Sequence, residues 1–260
     1  MRPVSSIIAM AVAVVALTGA AGDPVSAQQP DPAAFLAGQT RDCPGCNLAG
    51  VTLKRRNLAG ANLAGANLAG ASFHRAVLRG ANLSGADLTG ANLNKTDLIQ
   101  ADLSGAKLAG AMLFEADASR ANFSRANLTE ALMGSIRLLG GRADRAILTE
   151  ADLEAAFLNE ADFAGATLNG ANLHQARMLR VNLAGAMATG AEFTQANLRD
   201  ANLSGARFAE SVFYLADLSG ANLSGADLNH AVLRSANLGN TVQAGAVFTG
   251  AMMPDNTIHP

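Results

Sequence analysis

Hydrophobic residues in this chain of 260 residues recur at every fifth position. The segment NLAGANLAGANLAGASF, residues 57–73, repeats one five-residue phrase three times and then replaces its leucine with phenylalanine. An amphipathic helix places apolar residues about every 3.6 positions, and a half-buried strand places them at every second position. A period of five therefore predicts a repeat architecture whose unit is neither a standard helix nor a standard strand.

The period continues from residue 48 to residue 253 without a slip in phase. It defines 42 central positions, of which 28 are Leu, seven Phe, three Met and three Ala, and only Gln243 is polar. Ala lies two residues before the centre in 33 of these repeats, and 19 of the 26 Gly lie two residues after it. We interpret the Ala and the centre as a very short strand whose two side chains point inward. The Gly, Ser and Asn that follow favour a tight corner.

Strands and corners that alternate in this way predict a coil. If each corner turns the chain by about a right angle, about four units close one square turn, and the next turn stacks about 4.8 Å further along. Stacked turns would enclose a narrow core made mainly of Leu and Ala. Stability would then accumulate between neighbouring coils, as it does in other solenoids.

The unit Ala-(Asn/Asp)-Leu-X-X, as at residues 81–85 and 86–90, resembles that of the pentapeptide repeat proteins. The resemblance covers residues 46–255. It implies an all-β fold, a right-handed quadrilateral parallel β-helix, with about 10 coils at four repeats per coil. Some members of the family mimic DNA and bind DNA gyrase, which protects it from quinolones, and this role is the alternative function.

The first 27 residues have the organisation of an export signal. Arg2 supplies the positive start, residues 7–17 form an apolar run, and small residues occupy positions 25 and 27. The run is shorter than the roughly 20 apolar residues of a membrane span, although an uncleaved anchor is the competing interpretation. We therefore expect an exported protein, periplasmic or secreted, with no integral membrane segment after cleavage.

The mature chain is predicted to begin with a capped end. Residues 31–39, DPAAFLAGQ, contain an N-cap residue, a Pro at the first helical position and two large apolar residues, so they predict a short helix over the first coil. The tail is too short for the C-terminal helix that pairs two rods in the gyrase-targeting members, although end-to-end self-association stays open. The predicted order is signal peptide 1–27, linker and N-terminal cap 28–45, repeat β-helix 46–255 and C-terminal tail 256–260.

Two cysteines, Cys43 and Cys46, form a Cys-Pro-Gly-Cys sequence before the first clear repeat. Cys43 is in phase with the centres and Cys46 with the Ala positions, so both are expected to point inward. In an exported protein such a pair favours a structural disulfide. Buried free thiols at the cap, and redox or metal chemistry, are the alternatives.

No constellation of residues predicts catalysis. Eight of the 14 Asp residues immediately precede a centre, where Asn serves equally well, so we assign them to hydrogen bonds at the corners. The four His are scattered, and the chain has neither a nucleophile elbow nor a phosphate-binding glycine loop. We expect a protein that is not an enzyme and that has no cofactor or metal.

At four repeats per coil the outward residues fall on four faces. Face A contains the repeat centred on Leu53 and every fourth repeat after it, and face C the repeat centred on Leu63 and every fourth repeat after that one. Face A combines basic with apolar residues, whereas face C shows little beyond Asn, Ser, Ala and Gly. A basic strip that leads into exposed apolar residues predicts a protein-binding surface, against the alternative of unrelated surface residues. The predicted binding residues are Lys54, Arg55, His74, Arg75, Lys95, Met112, Phe114 and Leu132.

The pattern weakens between residues 132 and 145, where Ile136 and Gly141 replace Ala and the centre at residue 143 shrinks to Ala. This segment is interpreted as a bend or widened coil in one continuous rod, or as a hinge or recognition surface. The face assignment holds only if the segment does not reset the phase.

Charge limits the choice of partner. The net charge is −2 with or without the first 27 residues, so there is no global field to attract nucleic acid or a membrane surface. A DNA mimic needs an acidic surface and a cytoplasmic location, and the basic strip lacks the interleaved aromatic residues of a nucleic-acid site. We therefore predict a rigid structural or protein-interaction module whose partner is another protein.

Overall fold

A computed structural model describes residues 30–260 of the chain. The predicted signal peptide, residues 1–27, lies outside the described residues. The first element is helix α1, Pro32–Leu36, which confirms the short helix predicted here. Asp31 caps it by accepting a hydrogen bond from the Ala33 amide at 2.8 Å, and Pro32 fits the first turn because its missing amide needs no partner there. The Phe35 side chain is fully buried.

The rest of the chain winds into a coil of stacked turns. Parallel bridges join each residue before a centre to the equivalent residue four repeats later, from Asn47 with Asn67 to Val232 with Met252. The predicted closure of one turn by four repeats is therefore confirmed. In the described part of the chain each strand is reduced to a single bridging residue, so the β-structure is a set of ladders of such bridges.

The ladders bind every coil to the one before it and the one after it. The Leu63 amide donates to Asn82 O at 2.7 Å, and the Asn82 amide donates to Ala61 O at 2.9 Å. The inward side chains of Ala61 and Leu63 are fully buried, as are almost all equivalent residues. Fully burying a Leu or Phe side chain stabilises the fold by roughly 1.5 to 3 kcal/mol.

Each corner is a β-turn. In the repeat centred on Leu63, the Ala66 amide donates to Leu63 O at 3.1 Å, and the third turn residue, Gly65, has φ +64°. A positive φ at this position is the signature of a type II turn. All 42 corner residues from 45 to 250 have positive φ, and only 20 of them are Gly.

Asn and Asp before the centres hold the corners in shape, as predicted. Asn62 Oδ1 accepts a hydrogen bond from the Ala64 amide at 3.2 Å, and Asp87 Oδ1 accepts one from the Thr89 amide at 3.1 Å. These are Asx turns, which satisfy the first amide of each corner.

The ladders run through residues 132–145 without interruption, so the phase is not reset. Leu132 bridges to Asp152, and Arg142 bridges to Asp162. Gly141 is compensated by its neighbour, because the Leu138 side chain occupies the space in which an Ala methyl group would lie. The rod is continuous through this segment.

The two ends differ. At the N-terminal end the ladder begins at Cys43, whose amide donates to Asn62 O at 2.8 Å, and Cys43 and Cys46 are both buried, with their sulfur atoms 1.95 Å apart as a disulfide. At the C-terminal end the tail folds back, so that Ile258 forms an antiparallel bridge with Met252. The tail covers only one side of the last coil, and Val242 on another side is 52% exposed.

Candidate interaction face

The fold places the predicted binding residues of face A one above another. The Arg55 amide donates to His74 O and the Arg75 amide to Asn94 O, both at 3.1 Å, and the Lys95 amide donates to Phe114 O at 2.9 Å. Met112 and Leu132 are joined by a bridge. All eight residues therefore lie on one surface across five successive coils.

The basic end of face A is formed by Lys54, Arg55 and Arg75, which are exposed. None of these three takes part in a salt bridge with another of the residues from 30 to 260. Lys95 differs, because its Nζ lies 3.2 Å from a carboxylate oxygen of Glu115 in the next coil. This pairing was missed by the sequence analysis, although the separation of the two residues by four repeats signals it.

An apolar centre follows the basic end. Phe114 is 45% exposed, Leu132 is 50% exposed and Met112 is half-buried. The Phe114 ring lies against Gly134 of the next coil, where a methyl group would come within 3.3 Å of the ring. Gly134 therefore lets the aromatic ring lie flat along the face.

The edge that follows face A, edge A, consists of the corner residues at every twentieth position from Arg55. All ten of its residues, from 55 to 235, are non-glycine residues with positive φ. Edge C, which follows face C, consists of the corner residues at every twentieth position from Gly45. Nine of its 11 residues are Gly. A side chain in the left-handed region costs roughly 1 to 2 kcal/mol relative to the right-handed one, and glycine avoids this penalty. Edge A consists of Arg55, Arg75, Lys95, Glu115, Ser135, Ala155, Gln175, Gln195, Leu215 and Ser235.

The sequence analysis also missed an acidic half of face A. Asp152, Glu154 and Glu192 lie beyond the apolar centre, and His174 stands between them. Counting on by four repeats from the residues already chosen would have found all of them. A shallow depression on this part of face A is lined by Glu154, Asn172, His174, Glu192 and Thr194.

Face C is mainly a ladder of amide and carboxylate groups. Asn182 Nδ2 donates to Asp162 Oδ1 at 2.8 Å, and Asn202 Nδ2 donates to Asn182 Oδ1 at 3.0 Å. One charged cluster interrupts it: hydrogen bonds from Ser124 and then from Arg142 lower the pKa of Asp144 below its usual range, against the opposing effect of burial.

A coil of five-residue units, most of them with a buried Leu at the centre, defines a repeat solenoid. The family described as Pentapeptide repeats matches the chain in 8 copies, and the chain belongs to this family. Members of the family are right-handed β-helices and are generally structural or interaction modules without catalytic activity. The matched residues are 46–85, 57–95, 81–117, 91–130, 146–178, 176–213 and 211–251.

Solved structures of pentapeptide repeat proteins also match. HetL, from the cyanobacterium Nostoc sp. strain PCC 7120 and involved in heterocyst differentiation regulation, is 32% identical over 86% of this chain and 96% of its own, with a TM-score of 0.46. A protein of the Arabidopsis thaliana thylakoid lumen is 33% identical over 39% of this chain and 68% of its own, with a TM-score of 0.30. The plasmid-mediated fluoroquinolone resistance protein QnrB1 is 17% identical over 79% of this chain and 92% of its own, with a TM-score of 0.37. The comparison with curated proteins gave no match.

Residues 30–260 were also compared with the requirements of a membrane span and of a metal site. No helix within these residues is both long and apolar enough to pass through a bilayer. No three His, Cys, Asp or Glu side chains in this part of the chain are grouped closely enough to hold a metal ion.

Proposed function

We propose that this chain is an exported, non-catalytic rod of about ten coils, at four repeats per coil, that binds another protein through face A. The basic end and the apolar centre of face A form the contact surface. The hydrogen-bonded ladders hold these side chains at fixed spacing, so that the surface is organised before the partner arrives.

The observation that carries this proposal is the absence of glycine from edge A. The other three edges place Gly at four of ten, seven of 11 and nine of 11 corners, the last on edge C, because Gly adopts positive φ without strain. Edge A retains a side chain at all ten corners and accepts the strain each time. Strain that the fold does not require is typical of positions kept for function.

The composition of the surface supports a protein partner. Phe114 and Leu132 expose about half of their surface in adjacent coils, and the unpaired basic residues of the basic end lie two and three coils from Phe114 on the same face. An apolar centre with a polar rim that includes Arg is the usual make-up of a protein interface. Lys54, Arg55 and Arg75 occupy only two coils and have no stacking aromatic residue between them, so the basic end is a poor match for nucleic acid.

The disulfide supports export. Cys43 and Cys46 are buried at the first corner as a disulfide, and such bonds persist mainly in oxidising compartments outside the cytoplasm. Together with the signal-like residues 1–27, this favours a periplasmic or secreted location. The intact mass of the protein from its native host, with and without reductant, tests this part: a full-length, fully reduced chain would contradict it.

Binding is tested with two variants of equal change in charge. Lys54→Ser, Arg55→Ser and Arg75→Ser together remove three positive charges from face A. Because the basic residues are unpaired, this triple variant should recover at least tenfold less of a partner that the native protein captures from its host by crosslinking.

The matched control adds three negative charges to face C in comparable coils through Ala64→Glu, Ser84→Glu and Ser104→Glu. It should capture the partner as the native protein does. Equal capture by both triple variants and the native protein would refute face A as the binding surface.

A further inference from the structure

Face A is polarised along the rod. Between residues 52 and 195 its charged residues divide into a basic end, with Lys54 and Arg75, and an acidic half, with Asp152 and Glu192. The apolar centre and the Lys95–Glu115 ion pair lie between them, and Arg234 lies beyond the acidic half. Face A has three outward columns, each with one residue per coil: the column from Thr52, the column from Lys54 and edge A. The other faces show no comparable separation of sign in the described chain.

We propose that face A pairs with face A of a second copy of this chain, with the two rods antiparallel. This inference rests on the proposed function, because it names the partner of the same surface. The two-fold axis crosses the face between the coil of Met112 and the coil of Leu132. A rotation about this axis reverses the direction of the rod but keeps each column opposite itself, and the contact is isologous.

The apolar residues decide the position of the axis. With the axis between these two coils, Met112 of one copy faces Leu132 of the other, and the two Phe114 rings, each lying against Gly134 of its own copy, meet across the axis. Moving the axis by half a coil towards the C-terminus would place Met112 against Asp152 and Phe114 against Glu154. That arrangement would bury carboxylates against apolar side chains, which is unfavourable without a compensating partner.

The charges match in the same register. Lys95 lies opposite Ala155 and therefore beside Glu154 of the other copy. Lys54 lies opposite Thr194, next to Glu192. Each contact occurs twice because of the two-fold symmetry, so complementary charges meet on both sides of the apolar centre and fix the register.

The contact is long and narrow. Thr52 and Glu192, at the two ends of the matched region, are separated by seven coils, or about 34 Å. One face of a rod of this length gives a small interface, so we expect a dimer that dissociates on dilution and weakens as salt screens its charges.

Sedimentation equilibrium over a range of protein concentrations tests the pairing. Reversing the basic end through Lys54→Glu, Arg55→Glu and Arg75→Glu should raise the dimer dissociation constant at least tenfold. Reversing the acidic half through Asp152→Lys, Glu154→Lys and Glu192→Lys should have the same effect. An equimolar mixture of the two triple variants should dimerise again, because one face A then carries mainly acidic residues and the other mainly basic residues. Recovery in the mixture cannot arise from misfolded chains.

Disulfide trapping tests the antiparallel register. Thr52→Cys and Glu192→Cys, placed in separate chains and mixed, should crosslink between copies under mild oxidation. Thr52→Cys alone should not, because its two copies lie about 34 Å apart in the dimer. The matched control on face C, Asn62→Cys mixed with Asn202→Cys, has the same separation along the rod and should not crosslink.

The outcomes separate this inference from the proposed function. A protein that is monomeric at every concentration, with no crosslink between residues 52 and 192, overturns the pairing of copies. If the serine variant of the basic end then still loses a partner captured from the host, the binding role of face A stands with a different partner. If that capture is also unchanged, both proposals fail.

Discussion

Faces A and C are built on the same coil and present different surfaces. The centres Phe73 and Leu83 are both fully buried, and the amide of each donates to the next coil at 2.7 Å. The main differences between the faces lie in the outward residues and in the corner that follows them. In this fold the buried residues and the ladders determine the structure, and the outward positions are free to carry function.

The comparison also separates two kinds of corner. Edge C uses the residue that the turn favours, whereas edge A uses side chains in a strained conformation. Four predictions test this contrast between the two sides of the rod.

The largest effect should be the same on both faces. Leu93→Ala on face A and Leu103→Ala on face C each remove a fully buried side chain from a core that cannot close up, so each should lower the free energy of unfolding by about 3 to 5 kcal/mol. Urea unfolding followed by circular dichroism measures both. Two values that differ by more than about 1 kcal/mol would show that the two faces do not share one core.

Loss of the disulfide should act at the beginning of face C. Cys43→Ala with Cys46→Ala should lower the free energy of unfolding by about 2 kcal/mol, the value expected for closing a loop of this size. Reduction of the native protein is the control and should give a similar loss. Hydrogen exchange should increase around residues 43–48 and stay unchanged at Phe114, and a uniform increase along the rod would contradict a local effect.

Corner substitutions should have opposite signs on the two edges. Ala155→Gly relieves a side chain at φ +53° on edge A and should raise the free energy of unfolding by about 0.5 to 1 kcal/mol. Gly105→Ala on edge C, where φ is +64° and the added methyl group meets no atom within 4 Å, should lower it by about 1 kcal/mol. Thermal unfolding of both variants tests this, and shifts of the same sign would remove the distinction between the edges.

The smallest effect should come from the charged cluster on face C. The pKa of Asp144 is lowered by hydrogen bonds from Ser124 and then Arg142, so its ionised form stabilises the fold at pH values above its unfolded pKa of about 4. This contribution is lost as the pH falls through the lower folded value. Asp144→Asn should therefore flatten the dependence of stability on pH below about pH 4, and Asp152→Asn on face A is the comparison. An unchanged acid profile would show that Asp144 contributes nothing.

The five-residue period was sufficient to predict the core, the closure of the coil and the corner role of Asn62 and similar residues, because one short pattern repeats 42 times. Local chemistry was sufficient for α1, where Asp31 and Pro32 mark the first turn. Single contacts were not predicted, such as Lys95 with Glu115, because they depend on the flexible ends of exposed side chains.

Two other features were not predicted because they depend on contacts between parts of the folded chain. The tail folds back onto Met252 outside the repeat pattern, so the five-residue period does not predict this contact. The positive φ of side-chain-bearing corners such as Ala155 is imposed by the hydrogen bonds of neighbouring coils against the preference of the residue itself.

The spacing of the bridges, which join positions four repeats apart, has a consequence for how such a gene can change. Insertion or deletion of one pentapeptide would keep the central residues inward, but it would carry all downstream outward residues to the neighbouring face, so that Tyr214 would leave the column of Phe114. Duplication of four consecutive repeats would lengthen the rod and leave every column aligned. The inherited unit of this molecule is therefore the whole coil, and the five-residue repeat is only the unit of its core.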